Sequence, residues 1–374
     1  MIRVVLLILG MIIISCNNNN KSKVNNHLFP FRGLSKIEKL DFSSKALNIY
    51  NSILGNEFSG GILIAKNGEI VFEKYNGFIN FKEKEHIKSS TPIHIASISK
   101  PITALAILQL VEKKLISLDD TIQKFFPSFP YQNITVLHLL NHRSGLPNYL
   151  YFMDTAWRAS TKFVTNNDVL QFMIKNQPAA YSNPNTVFHY CNTNYVLLAI
   201  IVESVTHQFF PNYIKENIFK PIGMQNSFVF NINDTSNYVP SYQFNNIPYT
   251  LESFDCVYGD KNVYSTVRDL WLLDKALYNN SIISKNTFNI ATTAYSNETK
   301  GNKNYGLGWR LFLKNNDTVI YHGGWWHGNN SLFTRLIKDT ATVITLGNRY
   351  NKRIYNSKQM ATIFSNKEIG EVEE

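Results

Sequence analysis

The sequence has few cysteines and no pattern of metal ligands. Only three cysteines occur among 374 residues, Cys16, Cys191 and Cys256, which excludes a disulfide-dense scaffold. Cys191 and Cys256 could pair in an oxidising compartment, but two free buried thiols are the favoured state. No His-Glu-x-x-His occurs and no His/Cys cluster has metal-ligand spacing, so we expect neither a metal nor another cofactor.

The chain also lacks a basic run or an arginine-rich stripe, although its formal net charge is +10. Its lysines are scattered, whereas nucleic-acid binding would need them clustered on one surface. We therefore expect no nucleic-acid partner. The charge is interpreted as a solvated cationic surface, suited to a position near anionic lipid or cell-wall polymer.

The apolar run at residues 4–14 is too short to span a bilayer as a helix. It follows Arg3 and has the length of a signal-peptide core. It leads into the sequence IISC, which resembles the bacterial lipobox, in which the cysteine, here Cys16, is lipidated. We predict a lipoprotein signal peptide at 1–16 and a polar tether at 17–34. The protein would be exported and anchored by lipid in a membrane of the cell envelope, on its periplasmic or cell-surface face; a simple cleaved secretory signal is the alternative.

Strand patterns lie near both ends of the remaining chain, and helical patterns lie between them. A helix is predicted over 35–54, before two strands that flank the hairpin signal Asn67-Gly68. The other predicted strands are 306–314, 317–322, 330–337 and 341–347. The predicted helices are 101–115, 134–142, 167–175, 194–207, 210–219, 266–279 and a closing helix at 351–366. The tract 230–262 has weak periodicity and is expected to cover a surface or a cleft.

This order of elements predicts an α+β fold. An antiparallel sheet would be built from both chain ends and flanked by the terminal helices, with an all-helical lobe inserted. The domain would cover 35–366, with an α/β lobe at about 35–96 and 286–366, a helical lobe at about 97–285, and an acidic tail at 367–374. We expect the functional site in the crevice between the lobes.

Ser97-x-x-Lys100 is the first chemical motif. It opens a long apolar run with Pro101 in its first turn, which predicts a buried helix beginning near Ser97. Residues three apart share a helix face, so the two side chains can meet. Burial and the positive end of the helix dipole both disfavour the ammonium form of Lys100, which could then accept the serine proton. The alternative is coincidence, since such a match arises about once in a chain of this composition.

Two further motifs carry candidate chemistry. Tyr190 lies before an apolar helix, where a phenol near a lysine could relay a proton; the alternative is a tyrosine that caps the helix entrance. The sequence His322-Gly323-Gly324-Trp325 ends a predicted strand, and its glycines allow close approach of a substrate backbone. The Trp325 N–H could join the Ser97 N–H as an oxyanion hole. The alternative is a Gly-Gly turn with a surface histidine.

Together these motifs resemble the serine β-lactamase and penicillin-binding-protein superfamily, in particular its class C-like serine hydrolases, which include D-alanyl-D-alanine carboxypeptidases, D-aminopeptidases and esterases. The resemblance covers nearly all of 35–350 and includes the stretches 118–120, 139–147, 259–269 and 305–309. It implies an α/β sandwich of β-lactamase type.

The resemblance also implies a role for each motif residue. Ser97 would be the acylated nucleophile, with Lys100 and Tyr190 jointly its base and proton relay. Asn192 would bind the substrate amide or carbonyl. His322 would occupy the Lys-Thr-Gly or His-Thr-Gly position on the strand that lines the cleft, where Gly323, Gly324 and Trp325 would also contact substrate.

Departures from the family pattern bear on the substrate. Gly323 replaces the family's Thr or Ser, whose hydroxyl helps bind the carboxylate of penicillins and D-Ala-D-Ala peptides. Trp325 and Trp326 make the strand edge apolar, unless they only pack the sheet against the helical lobe. We therefore expect an exported serine hydrolase that cleaves an ester or a D-amino-acid-containing amide. Its substrate would be a small molecule or a peptide, with peptidoglycan-derived peptides among the candidates. The alternatives are a cell-wall D-alanyl-D-alanine carboxypeptidase, a class C-like β-lactamase, or a catalytically silent surface binding module.

Overall fold

A computed structural model describes residues 32–157, 162–233, 235–314 and 317–364. The predicted signal peptide with Cys16, nearly all of the predicted tether and the acidic tail lie outside the described residues. Among the helices of the described part, none is both long and apolar enough to cross a membrane.

The strands show that the sheet is assembled from distant parts of the chain. In chain order they are β1 Gly60–Lys66, β2 Glu69–Asn76, β3 Phe78–Asn80, β4 Glu85–His86, β5 Ile93–His94, β6 Phe228–Val229, β7 Val263–Ser265, β8 Lys303–Tyr305, β9 Arg310–Lys314, β10 Asp317–Trp326, β11 Asn329–Leu336 and β12 Ala341–Gly347. Seven of them form one antiparallel sheet in the order β2-β1-β12-β11-β10-β9-β8. β1 pairs with β12 along its whole length, so the predicted sheet from both chain ends is confirmed.

The hairpin between β1 and β2 forms where the sequence predicts it. Asn67 and Gly68 both have positive φ, 51° and 74°, as a type I′ turn requires. The two residues thereby set the register that buries the apolar side chains of β1.

Helices cover both faces of this sheet. They are α1 Lys36–Ile53, α2 Ser99–Glu112, α3 Val136–Leu140, α4 Tyr149–Trp157, α5 Asn166–Asn176, α6 Asn192–Thr206, α7 Phe210–Ile214, α8 Lys220–Ile222, α9 Val267–Tyr278 and α10 Lys285–Ala291. α1 packs on one face beside a 3₁₀ helix, Lys352–Ile363. The larger core lies on the other face, where α2 packs against α6 and α9 packs against β1 and β12. The α+β prediction is confirmed.

Three elements differ from their predictions. The closing helix is a 3₁₀ helix. The predicted helix at 210–219 contains a π-helical turn, Lys215–Phe219. The predicted strand at 306–314 begins only at Arg310, as β9, because a turn at Gly308, where φ is 83°, separates it from the unpredicted strand β8. A Cβ at Gly308 would lie 2.6 Å from that of Ala104, so the turn packs directly on α2. The small sheet β5-β7-β6 was not predicted, and its strands are only two or three residues long.

Candidate active site

The Ser97 side chain meets Lys100 at the start of α2. The short strand β5 leads into a 3₁₀ turn, Ala96–Ile98, and α2 follows directly. Lys100 Nζ donates to Ser97 Oγ at 3.0 Å and to the backbone oxygen of Asp260 at 2.9 Å. Lys100 is fully buried, whereas Ser97 is only half-buried. The predicted sharing of a helix face is confirmed, and the serine remains accessible from outside.

Tyr190 packs against Lys100. It belongs to the loop before α6, and Lys100 Nζ lies 4.8 Å from the centre of its ring. The guanidinium carbon of Arg310 lies 5.1 Å from the same ring centre, and the His142 ring packs at 4.4 Å. Asn192 is the first residue of α6 and is half-buried. The structure therefore brings Tyr190 to Lys100, with a second positive charge beside it.

His322 is a buried member of the site. Tyr305 Oη lies 3.1 Å from Nε2, and Nδ1 lies 2.6 Å from the Gly323 backbone oxygen. Because a carbonyl can only accept, Nδ1 carries the proton and Nε2 accepts from Tyr305. Burial and the charges of Arg310 and Lys100 lower the pKa of His322 well below its ordinary value, so the ring is neutral. Its side chain is fully buried with both nitrogens occupied, which leaves the backbone of β10 to line the cleft.

β10 extends beyond its neighbour β9 and so presents a free edge. β9 pairs with β10 only from Asp317 to Tyr321, and among the described residues no strand continues beside the later part of β10. A two-residue turn closes the hairpin at the pair Trp326–Asn329, which makes this a hydrogen-bonded pair. Backbone groups alternate along a strand, so the Trp325 N–H points away from β11, towards the free edge.

Gly324 brings this edge against the Ser97 turn. A Cβ built on Gly324 would lie 2.9 Å from the Ser97 backbone nitrogen and 2.6 Å from the Ile95 oxygen. The Ser331 hydroxyl donates to the same Ile95 oxygen at 2.7 Å. The two N–H groups predicted as an oxyanion hole, of Ser97 and Trp325, are therefore brought to the same edge.

The two tryptophans face opposite sides of the sheet, because adjacent strand residues alternate. The Trp326 indole donates to Asp255 Oδ1 at 2.6 Å, and Lys261 Nζ lies 4.7 Å from a ring centre of Trp326. Trp325 is 52% exposed and its ring lies 6.4 Å from that of Tyr350. Of the two tryptophans expected to make the strand edge apolar, only Trp326 shares the face of Gly324.

Several residues that support the site were not predicted from the sequence. Arg310, Asp260, His142 and Tyr305 come from four different segments. Three of these residues lie inside stretches that carried the family resemblance, but nothing in the sequence assigned them a role. Arg310 follows directly after such a stretch, and no pattern singled it out.

Both described cysteines are free thiols. Cys191 is buried just before α6, and Cys256 is half-buried rather than buried as expected. Burial raises the pKa of each thiol to about 11, which keeps both in the unreactive protonated form.

The family described as beta-lactamase matches residues 55–360. This chain belongs to the β-lactamase family. Among curated relatives, Penicillin-binding protein 4* of Bacillus subtilis (strain 168) is 32% identical over 313 residues, which cover 79% of this chain and 69% of the relative. Other curated relatives are matched over 66% and 64% of their length, so the chain spans about two thirds of these proteins.

Solved structures agree with this family. A penicillin-binding protein from Bacillus halodurans has a TM-score of 0.74 at 25% identity and covers 85% of this chain and 98% of its own. A D-amino acid amidase from Ochrobactrum anthropi SV3, with a TM-score of 0.71, 20% identity and coverage of 87% and 98%, shows the shared fold. The chain is thus a serine hydrolase of the β-lactamase and penicillin-binding-protein family.

Proposed function

We propose that the protein is an exported hydrolase that forms an acyl-enzyme at Ser97 and cleaves an ester or a D-amino-acid-containing amide. The observation that carries this proposal is the 3.0 Å contact between the half-buried Ser97 hydroxyl and the fully buried Lys100 amine. A nucleophile within hydrogen-bond reach of its base is the arrangement that covalent catalysis needs.

In the proposed reaction, Ser97 Oγ attacks the substrate carbonyl carbon, its proton moves to Lys100, and Lys100 transfers one proton to the Tyr190 phenolate oxygen. The new bond joins Oγ to that carbon, and the carbonyl oxygen takes the negative charge. The Ser97 and Trp325 N–H groups stabilise this oxyanion. Tyr190 then returns the proton to the leaving alcohol or amine, and water later hydrolyses the acyl-enzyme by the same route in reverse.

The substrate-binding side is formed by Asn192 and by β10. Asn192 stands at the start of α6, one residue after Cys191, and its amide would bind the substrate amide or carbonyl. On β10, the backbone groups of Gly323 and Trp325 face the free edge and would contact substrate. The His322 side chain is fully buried, so it would not contact substrate directly.

The choice of an ester or amide follows from what β10 offers. His322 is neutral, and Gly323 supplies no hydroxyl. A free substrate carboxylate placed there would lose water without gaining a charged or hydroxyl partner from β10 itself, which is unfavourable. Substrates that are uncharged at that end lose less hydration free energy on binding. The D-amino acid amidase supports the ester and amide class of substrates only through the shared fold. The similarity of this chain to Penicillin-binding protein 4* is the reason to retain a cell-wall peptide among the candidate substrates.

The test is intact-mass analysis of the protein after treatment with a fluorophosphonate probe. We expect one adduct on the wild type, none on Ser97→Ala, and one on the control Ser99→Ala, since Ser99 Oγ accepts the Val263 N–H inside the fold. An unmodified wild type that is correctly folded would contradict the proposal and favour a silent binding module.

The substrate is then tested with matched panels. We expect D-amino-acid esters and amides to be cleaved with higher kcat/KM than D-Ala-D-Ala peptides that carry a free carboxylate. Release of free D-alanine as the fastest reaction would instead indicate a carboxypeptidase, and rapid nitrocefin hydrolysis would indicate a β-lactamase.

Location is a separate proposal. We propose that Cys16 is lipidated after signal cleavage and that the domain is held at a membrane of the cell envelope. The apolar run before the IISC sequence supports this. Cells fed a radioactive fatty acid should label the wild type and not Cys16→Ala; equal labelling of both would refute it.

A further inference from the structure

Ala96, directly before Ser97, adopts a backbone conformation that alanine rarely takes. Its φ is 48°, in the left-handed region, where a Cβ meets the following carbonyl. Such a residue persists only where its surroundings hold it. Because Ala96 sets the direction of the chain into Ser97, whatever holds Ala96 also aims the nucleophile.

His94 is the side chain that binds the backbone of Ala96. The Ala96 N–H donates to His94 Nδ1 at 3.1 Å. Nδ1 must therefore be unprotonated, and the proton of the neutral ring lies on Nε2. Nε2 lies 3.0 Å from Asn262 Oδ1 and donates to it. The ring is only 2% exposed, so it has no access to bulk water as an alternative partner.

Asn262 continues this connection to the end of β10. Its Nδ2 donates to the backbone oxygens of Asp255 and Val257 at 2.7 and 2.8 Å, which fixes Oδ1 as the acceptor for His94. The Asp255 carboxylate binds the Trp326 indole at 2.6 Å and His327 Nε2 at 3.1 Å. A continuous path thus runs from the Ser97 turn to the two residues that follow Trp325.

We infer that His94 is a positioning residue for the acylation reaction. By accepting the Ala96 N–H it holds the left-handed turn that aims Ser97, and its bond to Asn262 keeps Nδ1 as the acceptor. The inference rests on the proposed role of Ser97. It assigns to His94 no contact with substrate; His94 acts by aiming Ser97 Oγ and the Ser97 N–H.

The surroundings of His94, above all its burial, keep its Nδ1 free to accept. Lys261 and His327 disfavour a positive ring and Asp255 favours one, while Tyr264 packs edge-on at 5.0 Å. Burial is the largest effect and lowers the pKa of His94 to about 4. The neutral form that the contact needs is therefore present throughout the neutral range.

Two substitutions distinguish the roles of the two ring nitrogens of His94. The Asn side chain in His94→Asn places an oxygen near the Nδ1 position and can still accept from Ala96. The Gln side chain in His94→Gln reaches only the Nε2 position. We expect the second-order rate of fluorophosphonate labelling to stay within about fivefold of wild type in His94→Asn and to fall about 30-fold or more in His94→Gln, since a misaimed nucleophile and oxyanion donor slow acylation.

His138 provides a matched control. Its Nδ1 also accepts a backbone N–H, that of Thr135 at 3.3 Å, at the start of α3. His138→Gln should lower thermal stability slightly and leave the labelling rate unchanged. Equal rates for His94→Asn and His94→Gln, whether both fast or both slow, would overturn the inference, because the Nδ1 contact would then make no difference.

Amide hydrogen exchange tests the same contact without activity. The Ala96 amide should exchange slowly in wild type and in His94→Asn, and at least about tenfold faster in His94→Gln. Unchanged exchange in His94→Gln would refute the positioning role. A wild type that shows slow exchange but no labelling would instead refute the proposed function of Ser97, and with it the catalytic consequence inferred for His94.

Discussion

Replacing Gly324 with alanine tests how closely β10 must approach the Ser97 turn. The added Cβ would lie 2.5 Å from Ser331 Oγ, 2.6 Å from the Ile95 oxygen and 2.9 Å from the Ser97 nitrogen. Ordinary contacts between such atoms are about 3.5 Å. The Ser331 hydroxyl can rotate, but the other two atoms are backbone. β10 and the turn must therefore separate by several tenths of an ångström to about 1 Å.

This separation has two measurable costs. Overpacking of this kind lowers the free energy of unfolding by roughly 1–3 kcal/mol. It also moves the Trp325 N–H relative to Ser97, and displacement of one oxyanion donor typically costs about 3 kcal/mol of transition-state stabilisation, or about 100-fold in rate. We expect kcat/KM for an ester, and the rate of fluorophosphonate labelling, to fall by about that factor in Gly324→Ala.

Gly223→Ala is the control for this experiment. Gly223 has a φ of 81° at the end of α8, but the nearest atom to an added Cβ is 4.0 Å away. This variant should lose some stability through backbone strain and keep the wild-type kcat/KM. If Gly324→Ala retains kcat/KM within threefold of wild type, close approach of β10 is not what builds the oxyanion site.

Three further predictions concern stability, each measured by urea unfolding. Tyr305→Phe removes the donor to buried His322 Nε2 and should lower the free energy of unfolding by about 1–3 kcal/mol; no change would mean that water replaces it. Asp274→Ala strips buried Arg335 of its carboxylate partner, 2.5 Å away, and should cost about 3–5 kcal/mol, whereas Arg335→Met combined with Asp274→Leu should recover most of it. From pH 7 to pH 5, unfolded chains protonate His94 while the folded state, with its pKa of about 4, does not. The free energy of unfolding should therefore fall by about 2 kcal/mol because of this residue. His94→Asn should reduce the pH dependence of that free energy by the same amount.

The parts of the site that depend on neighbouring residues could be predicted from the sequence. Ser97 and Lys100 meet because three residues of a helix make nearly one turn, and this spacing needs no knowledge of the rest of the fold. The Asn67-Gly68 hairpin is predictable for the same reason, since its two residues alone favour the turn.

The parts of the site that depend on distant segments could not be predicted from the sequence. The Asp260 oxygen reaches Lys100 across 160 positions of sequence, and Arg310 reaches Tyr190 from the start of β9. The break between β8 and β9 at Gly308 is fixed by its packing on α2, which a local pattern of apolar residues does not reveal. Likewise His94 was not singled out, because its partner Asn262 lies 168 positions away and its contact with Ala96 depends on the left-handed conformation of that residue.

The distribution of charge in the cleft sharpens the substrate proposal. Both nearby cations, Lys100 and Arg310, lie at Tyr190, 4.8 and 5.1 Å from its ring centre, whereas His322 on β10 is buried and neutral. Positive charge is thus placed where protons move during acylation, and the His322 and Gly323 side chains add none at the position where a substrate carboxylate would meet the strand in the family pattern. The side chains of β10 therefore offer a free carboxylate neither a charged nor a hydroxyl partner. The ratio of kcat/KM for D-amino-acid amides to kcat/KM for D-Ala-D-Ala peptides therefore measures how strongly this site prefers a substrate without a free carboxylate.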